Sequence, residues 1–158
     1  MAQYTLLKFD SEQQFLAHAV HEFKSLAEDA ITKRGKFCVG LSGGTTPKIL
    51  FEALSKAEID WSKIHLYWSD ERYVSHSDPE SNYGMAHKHL LSHINIPAVN
   101  IHGIPTELAD PHEAAKKYEE TLKKITEETS SPFMANGKGV PFTIFYTRRL
   151  FCFFKNKQ

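Results

Sequence analysis

The sequence is short of the features that would assign it to a specialised class. It has only two cysteines. Cys38 sits inside an apolar run, Cys152 stands far from it, and neither has the spacing of a metal ligand, so a disulfide framework is not expected and a reducing, cytoplasmic setting is. There is no excess charge of either sign, with 19 Lys and Arg against 19 Asp and Glu. No global field would therefore recruit nucleic acid or an anionic membrane, and any anion must be captured locally. No apolar run approaches the ~20 residues of a membrane span. The opening "MAQYTLLKFD" lacks a basic stretch leading into a long apolar one. Internal repeats are absent, and so is any acidic residue after Glu128, beyond which the only charges are Lys138, Arg148, Arg149, Lys155 and Lys157.

What is present is an ordinary globular composition, 41% hydrophobic and 24% charged. At this length one domain is expected, burying roughly 70% of its unfolded-chain surface. Residues 4–9, "YTLLKF", read as a short strand. Ser11 and Gln14 then have capping-box spacing, and Phe15, Ala19, Phe23, Ala27 and Ile31 recur every four residues, widened by Leu16, Val20 and Leu26. This predicts a long helix ending at Gly35. "KFCVGL", residues 36–41, is a continuous apolar run of the kind expected for a strand covered on both faces. Thr46 and Pro47 offer a cap and a first helical position for a second helix that buries Leu50, Phe51 and Leu54.

"KIHLYW", residues 63–68, predicts the next strand. A polar loop follows, and either Asp78 with Pro79 or Ser81 opens another helix. "VNIHGI" reads as a short strand. Asp110, Pro111 and Glu113 then open a helix that turns Ala114, Tyr118, Leu122 and Ile125 inward. This alternation predicts an α/β fold, a Rossmann-like parallel sheet flanked by helices in an α/β/α sandwich. Ligands in such folds bind beyond the carboxyl ends of the strands.

Both notable loops lie at those ends. In "SGGTTP", Gly43 and Gly44 allow positive φ and leave no side chain between backbone and ligand, while Ser42, Thr45 and Thr46 add hydroxyls. The helix that follows aims its free N–H groups at the same place, which suits a phosphate. Two glycines alone would be a tight turn with capping threonines; three flanking hydroxyl residues at a strand-to-helix junction raise the anion-site reading above that. The P-loop lysine and the third glycine of a dinucleotide fingerprint are missing, which argues against ATP and NAD. In "WSDERYV", Arg72 can set a charged planar fork on a phosphate, and Asp70 can accept a proton or hold a sugar hydroxyl. The plainer alternative is a solvated loop in which Asp70, Glu71 and Arg72 pair with one another.

Other clusters are weaker. His89 and His93 are four apart, but no third ligand accompanies them, and no metal is expected. "KKYEETLKKITEE" reads as a solvated helix face with pairs such as Glu119 and Lys123.

Taken together, "LSGGTTPKILFEAL", "WSKIHLYWSDERYV", "DPESNYGMAHKHLL" and "HGIPTELADPHEAAKKYEETL" closely resemble the 6-phosphogluconolactonases of the pentose phosphate pathway, from about residue 4 to residue 128. The resemblance implies a carboxylic ester hydrolase that opens 6-phospho-D-glucono-1,5-lactone to 6-phosphogluconate without metal or organic cofactor. It shares its fold with glucosamine-6-phosphate deaminases. It further implies that Ser42, Gly43, Gly44 and Thr45 hold the substrate, that Arg72 contacts its anionic end, and that Asp70 lies close by as the candidate catalytic carboxylate. The related deaminases carry Asp-Glu-Tyr where this chain has Asp70, Glu71 and Arg72, so the arginine favours the lactonase. Neither a nucleic-acid partner nor a membrane is implied, only a phosphosugar lactone.

The chain departs from the family after a clear point. A Gly-Xaa-Asp-Gly-His-Thr-Ala-Ser segment, whose histidine is the family's expected general base, does not occur. From Phe142 onward, 17 residues hold five of the chain's 11 phenylalanines with no glycine and no acid. Residues 1–140 are therefore read as the N-terminal part of one lactonase-like domain and 141–158 as a divergent apolar and basic tail, from a shifted or truncated reading frame. The alternative is a natural short variant in which "FTIFY" supplies the next strand.

Overall fold

The computed structural model describes residues 7–129 and 143–144. The first helix, α1 (Glu12–Arg34), begins where the capping spacing places it: Ser11 Oγ accepts from the Gln14 N–H, and Gln14 Oε1 accepts from the Asp10 N–H. Its end is closed by the Gly35 N–H returning to the Ile31 carbonyl. Phe15, Ala19, Phe23, Ala27 and Ala30 are buried along one face. Ala30 takes the innermost place expected of Ile31, which is half-buried, and Leu26 falls beyond the stripe and is exposed. The expected strand at 4–9 lies partly outside the described residues. Residues 7–9 pair with no strand, and Phe9 instead sets its ring edge-on to Phe15 at 5.9 Å.

Strand β1 (Phe37–Leu41) is buried throughout, as its unbroken apolar run requires. Helix α2 (Thr45–Leu54) follows it, then β2 (Ile64–Trp68), α3 (Asn82–His89), β3 (Ile101–His102), α4 (Pro111–Thr129) and β4 (Thr143–Ile144). All pairings are parallel, in the spatial order β3-β2-β1-β4. Thr143 and Ile144, within the segment read as divergent, lie beside Val39 and Gly40.

The period of two along the strands separates two layers. Phe37, Val39 and Leu41 of β1 with Ile64, Leu66 and Trp68 of β2 face the main core shared with α1, α2 and α3. Cys38 and Tyr67 face the other way, where Leu122 of α4 packs on them. This is the expected parallel sheet between helical layers. The chain runs outward from β1 through β2 to β3 and is found again on the opposite side of β1, so the topological switch falls at β1. Ligand crevices of open parallel sheets form at such a switch. The loop leaving β1 there is the glycine turn.

Candidate functional site

The turn after β1 is built differently from its first reading. Gly44, not Thr46, is the cap of α2, with φ 109° and ψ 175°. The reason is steric: the chain must reverse at once after Gly43, and the left-handed region it enters at Gly44 is open to glycine and costly for residues with a β-carbon. No side chain caps α2 among the described residues. Its first N–H groups are thus left for another acceptor. Thr45 becomes the exposed first helical residue, and Pro47 sits buried in the first turn.

The loop after β2 closes against this turn. Ser69 at its start is anchored to β1, its N–H and Oγ both donating to the Leu41 carbonyl at 2.8 and 2.9 Å. The Asp70 carboxylate is thereby carried to the glycine turn, where Oδ1 accepts from Ser42 Oγ at 3.0 Å and, at 3.2 Å, shares with the Leu41 carbonyl the single proton of Ser69 Oγ. Asn82, the buried first residue of α3, donates through Nδ2 to the Asp70 carbonyl at 3.0 Å and to Oδ2 at 3.2 Å. Arg72 Nη1 donates to Asn82 Oδ1. Gly43 packs so closely here that a β-carbon on it would collide with Asn82 Oδ1 and lie 2.9 Å from Arg72 Nη1.

Glu71 has a separate task. Its carboxylate accepts from the N–H groups of Asn82 and Tyr83, each at 2.7 Å, and from Ser81 Oγ at 3.1 Å. Ser81 is the cap of α3, which decides between the two expected openings of that helix in its favour. Of the mutual pairing of Asp70, Glu71 and Arg72 considered above, only a backbone contact forms, the Arg72 N–H donating to Glu71 Oε1 at 2.8 Å. Each side chain reaches a different partner across the fold: Ser42, the α3 terminus and Asn82 respectively.

Of the six residues singled out, Ser42, Gly43, Asp70 and Arg72 are brought into one network, Gly44 shapes it, and Thr45 forms no side-chain hydrogen bond among the described residues. Asn82 and Ser69 were missed. Asn82 lies in "ESNYG" beside a recognised capping serine, but an asparagine there is indistinguishable in sequence from an ordinary cap residue. His89 and His93 go separate ways: His89 Nδ1 pairs with Glu52 Oε1 of α2 at 2.9 Å, and His93 Nε2 is 3.1 Å from the Lys88 carbonyl.

A parallel sheet that brings a glycine turn, a serine-bound carboxylate and an arginine together at its switch point defines the class, an α/β protein with its loop network at the carboxyl ends of the strands. The comparisons give the family within that class. Residues 10–139 match the family of glucosamine-6-phosphate isomerases and 6-phosphogluconolactonases, and the chain belongs to it. A 6-phosphogluconolactonase of Synechocystis is 45% identical over 106 residues, 67% of this chain and 44% of that protein. One of Nostoc is 44% identical over 108 residues, 68% of this chain and 45% of the relative. The chain thus spans somewhat under half the length of these relatives. The crystal structure of the Thermotoga maritima 6-phosphogluconolactonase superposes with a TM-score of 0.69 at 30% identity, covering 78% of this chain and 54% of that one.

Proposed function

We propose that this chain carries the phosphosugar-binding part of a 6-phosphogluconolactonase site, acting on 6-phospho-D-glucono-1,5-lactone in the pentose phosphate pathway of the cytoplasm. The observation that supports it most is the joining of the Ser42 to Gly44 turn with Asp70 and Arg72 through one hydrogen-bonded network. The turn and the uncapped start of α2 offer N–H donors and a positive dipole end to a phosphate. A guanidinium carries five donors, so Arg72 can serve Asn82 and still hold an anionic oxygen.

Opening the lactone requires a base to take a proton from water as its oxygen attacks the carbonyl, and donors for the oxyanion that forms. Asp70 is the carboxylate at this site. Its oxygens already accept from Ser42, Ser69 and Asn82, which leaves it a better orienting group for a sugar hydroxyl than a general base. The 158-residue polypeptide is therefore expected to bind phosphosugar and turn it over little by itself. We further propose that residues 1–140 form the N-terminal part of one lactonase domain, with 141–158 divergent from it.

The test is hydrolysis of freshly generated 6-phosphogluconolactone by the purified chain, corrected for spontaneous opening, together with calorimetric binding of 6-phosphogluconate, each beside Arg72→Ala. Binding in the wild type that weakens about tenfold or more in Arg72→Ala, the loss expected for a charge-assisted contact, with hydrolysis near the spontaneous rate, supports the reading. Folded wild-type protein that binds no phosphosugar overturns it. Hydrolysis well above background that falls in Arg72→Ala overturns only the low-turnover expectation and means that a base other than the family's histidine works at this site.

A further inference from the structure

The residue at the centre of the network is neither of the two loops' own. Asn82 is 2% exposed and opens α3, where Glu71 Oε1 holds its backbone N–H at 2.7 Å. Its carboxamide has only one chemically sensible orientation. A guanidinium can only donate, and a carbonyl and a carboxylate only accept, so Oδ1 faces Arg72 while Nδ2 faces the Asp70 carbonyl and Oδ2. Oδ1 lies where a side chain on Gly43 would begin, since a β-carbon there would collide with it.

We infer that Asn82 is the positioning residue of this site: one buried carboxamide sets the separation of Arg72 from Asp70 and seats the glycine turn against both. The inference rests on the phosphosugar reading for what the positioned groups bind, but its geometry does not. An arginine side chain loses much rotamer freedom when it grips an anion. Tethering Nη1 to a rigid, buried amide removes part of that freedom beforehand, which is how preorganisation raises affinity. The amide is neutral, buried and engaged at both ends. It acts through Arg72 and Asp70 and does not itself meet the ligand.

Because Asn82 links the groups, its loss and that of Arg72 must overlap. Binding of 6-phosphogluconate is measured by calorimetry for the wild type, Asn82→Ala, Asn82→Asp, Arg72→Ala and the Asn82→Ala/Arg72→Ala double variant of the full chain, with the guanidinium ¹⁵N resonances of Arg72 recorded for each single variant at position 82. Asn82→Ala is expected to weaken binding about tenfold, and the double variant to lose less than the sum of the two single losses. The Arg72 Nη resonances, resolved in the wild type by the restrained fork, are expected to merge in Asn82→Ala.

Asn82→Asp is nearly isosteric and serves if the alanine variant fails to fold. It keeps an acceptor for Arg72 but sets a carboxylate against Asp70, so binding falls while the Arg72 resonances stay resolved. Wild-type affinity in either single variant, additive losses in the double variant, or unchanged Arg72 resonances in Asn82→Ala overturn the inference. If the wild type binds no 6-phosphogluconate, the proposed function falls, and the resonances of Asn82→Ala alone decide the positioning role: merging there supports it, persistence there overturns it.

Discussion

At the scale of the residue, the two glycines of the turn are needed for different reasons. Gly44 is held at φ 109°, a conformation in which a β-carbon would press on the neighbouring carbonyl. Gly43 has no such dihedral and is required because Asn82 Oδ1 and Arg72 Nη1 occupy the space of a side chain. Gly44→Ala should therefore destabilise the fold by about 1–3 kcal/mol through backbone strain, read as a lowered midpoint in urea unfolding with an unchanged slope. A midpoint equal to that of the wild type would mean that the turn relaxes and that the left-handed conformation is not required.

At the scale of the element, helix ends and strand ends are closed by side chains from distant segments. The start of α3 is fully accounted for: Glu71 takes the N–H groups of Asn82 and Tyr83, Ser81 Oγ takes that of Gly84, and the Ser81 carbonyl takes that of Met85. That helix has no donors left for a ligand in its first turn, whereas α2, capped by a glycine, does. At the end of β2 the Ser69 N–H turns toward β1, so the groups of Trp68 face the side where β3 has already ended at His102. Tyr118 of α4 fills the gap. Its hydroxyl accepts from the Trp68 N–H at 2.8 Å and donates to the Trp68 carbonyl at 2.7 Å, one residue before the site loop begins.

Tyr118→Phe should cost about 1–3 kcal/mol, since it strands a buried N–H and carbonyl. Burial pushes the Tyr118 hydroxyl well above its ordinary value of about 10. A group raised in the folded state keeps its proton there after the unfolded chain has lost it, so its contribution is complete below about pH 10 and is lost as pH rises beyond. Urea midpoints measured from about pH 9 to about pH 11 should fall more steeply for the wild type than for Tyr118→Phe. Parallel slopes would show that this hydroxyl does not carry the alkaline loss.

At the scale of the whole molecule, the chain accounts for less than half the length of the relatives it matches. The family match runs to residue 139, and the chain covers 44% and 45% of the Synechocystis and Nostoc relatives. No helix among the described residues is long and apolar enough to cross a membrane. Thr143 and Ile144 of "FTIFY" pair with β1, in keeping with the alternative reading that this segment supplies the next strand. Pairing of two residues needs only backbone groups and an apolar surface, so a foreign but apolar segment can meet it. If the reading frame shifts near residue 140, the coding sequence downstream should encode a Gly-Xaa-Asp-Gly-His run in another frame. Sequencing the gene decides this, and an intact frame with no such run counts against a shift.

The sequence by itself determined the order of elements from α1 to α4, the strands β1 and β2, the caps at Ser11 and Asp110, the parallel α/β class and four members of the network, because each depends on periodicity and turn chemistry within a few neighbouring residues. It also carried the family. Only the tertiary structure decided that Gly44 rather than Thr46 caps α2, that Leu26 stays outside the core, that Glu71 serves a helix terminus and not the Arg72 guanidinium, and that Asn82 joins two loops. The last two outcomes turn on which groups meet across 10 to 28 positions of chain, and a buried asparagine that binds three partners is spelled no differently from one that caps a helix.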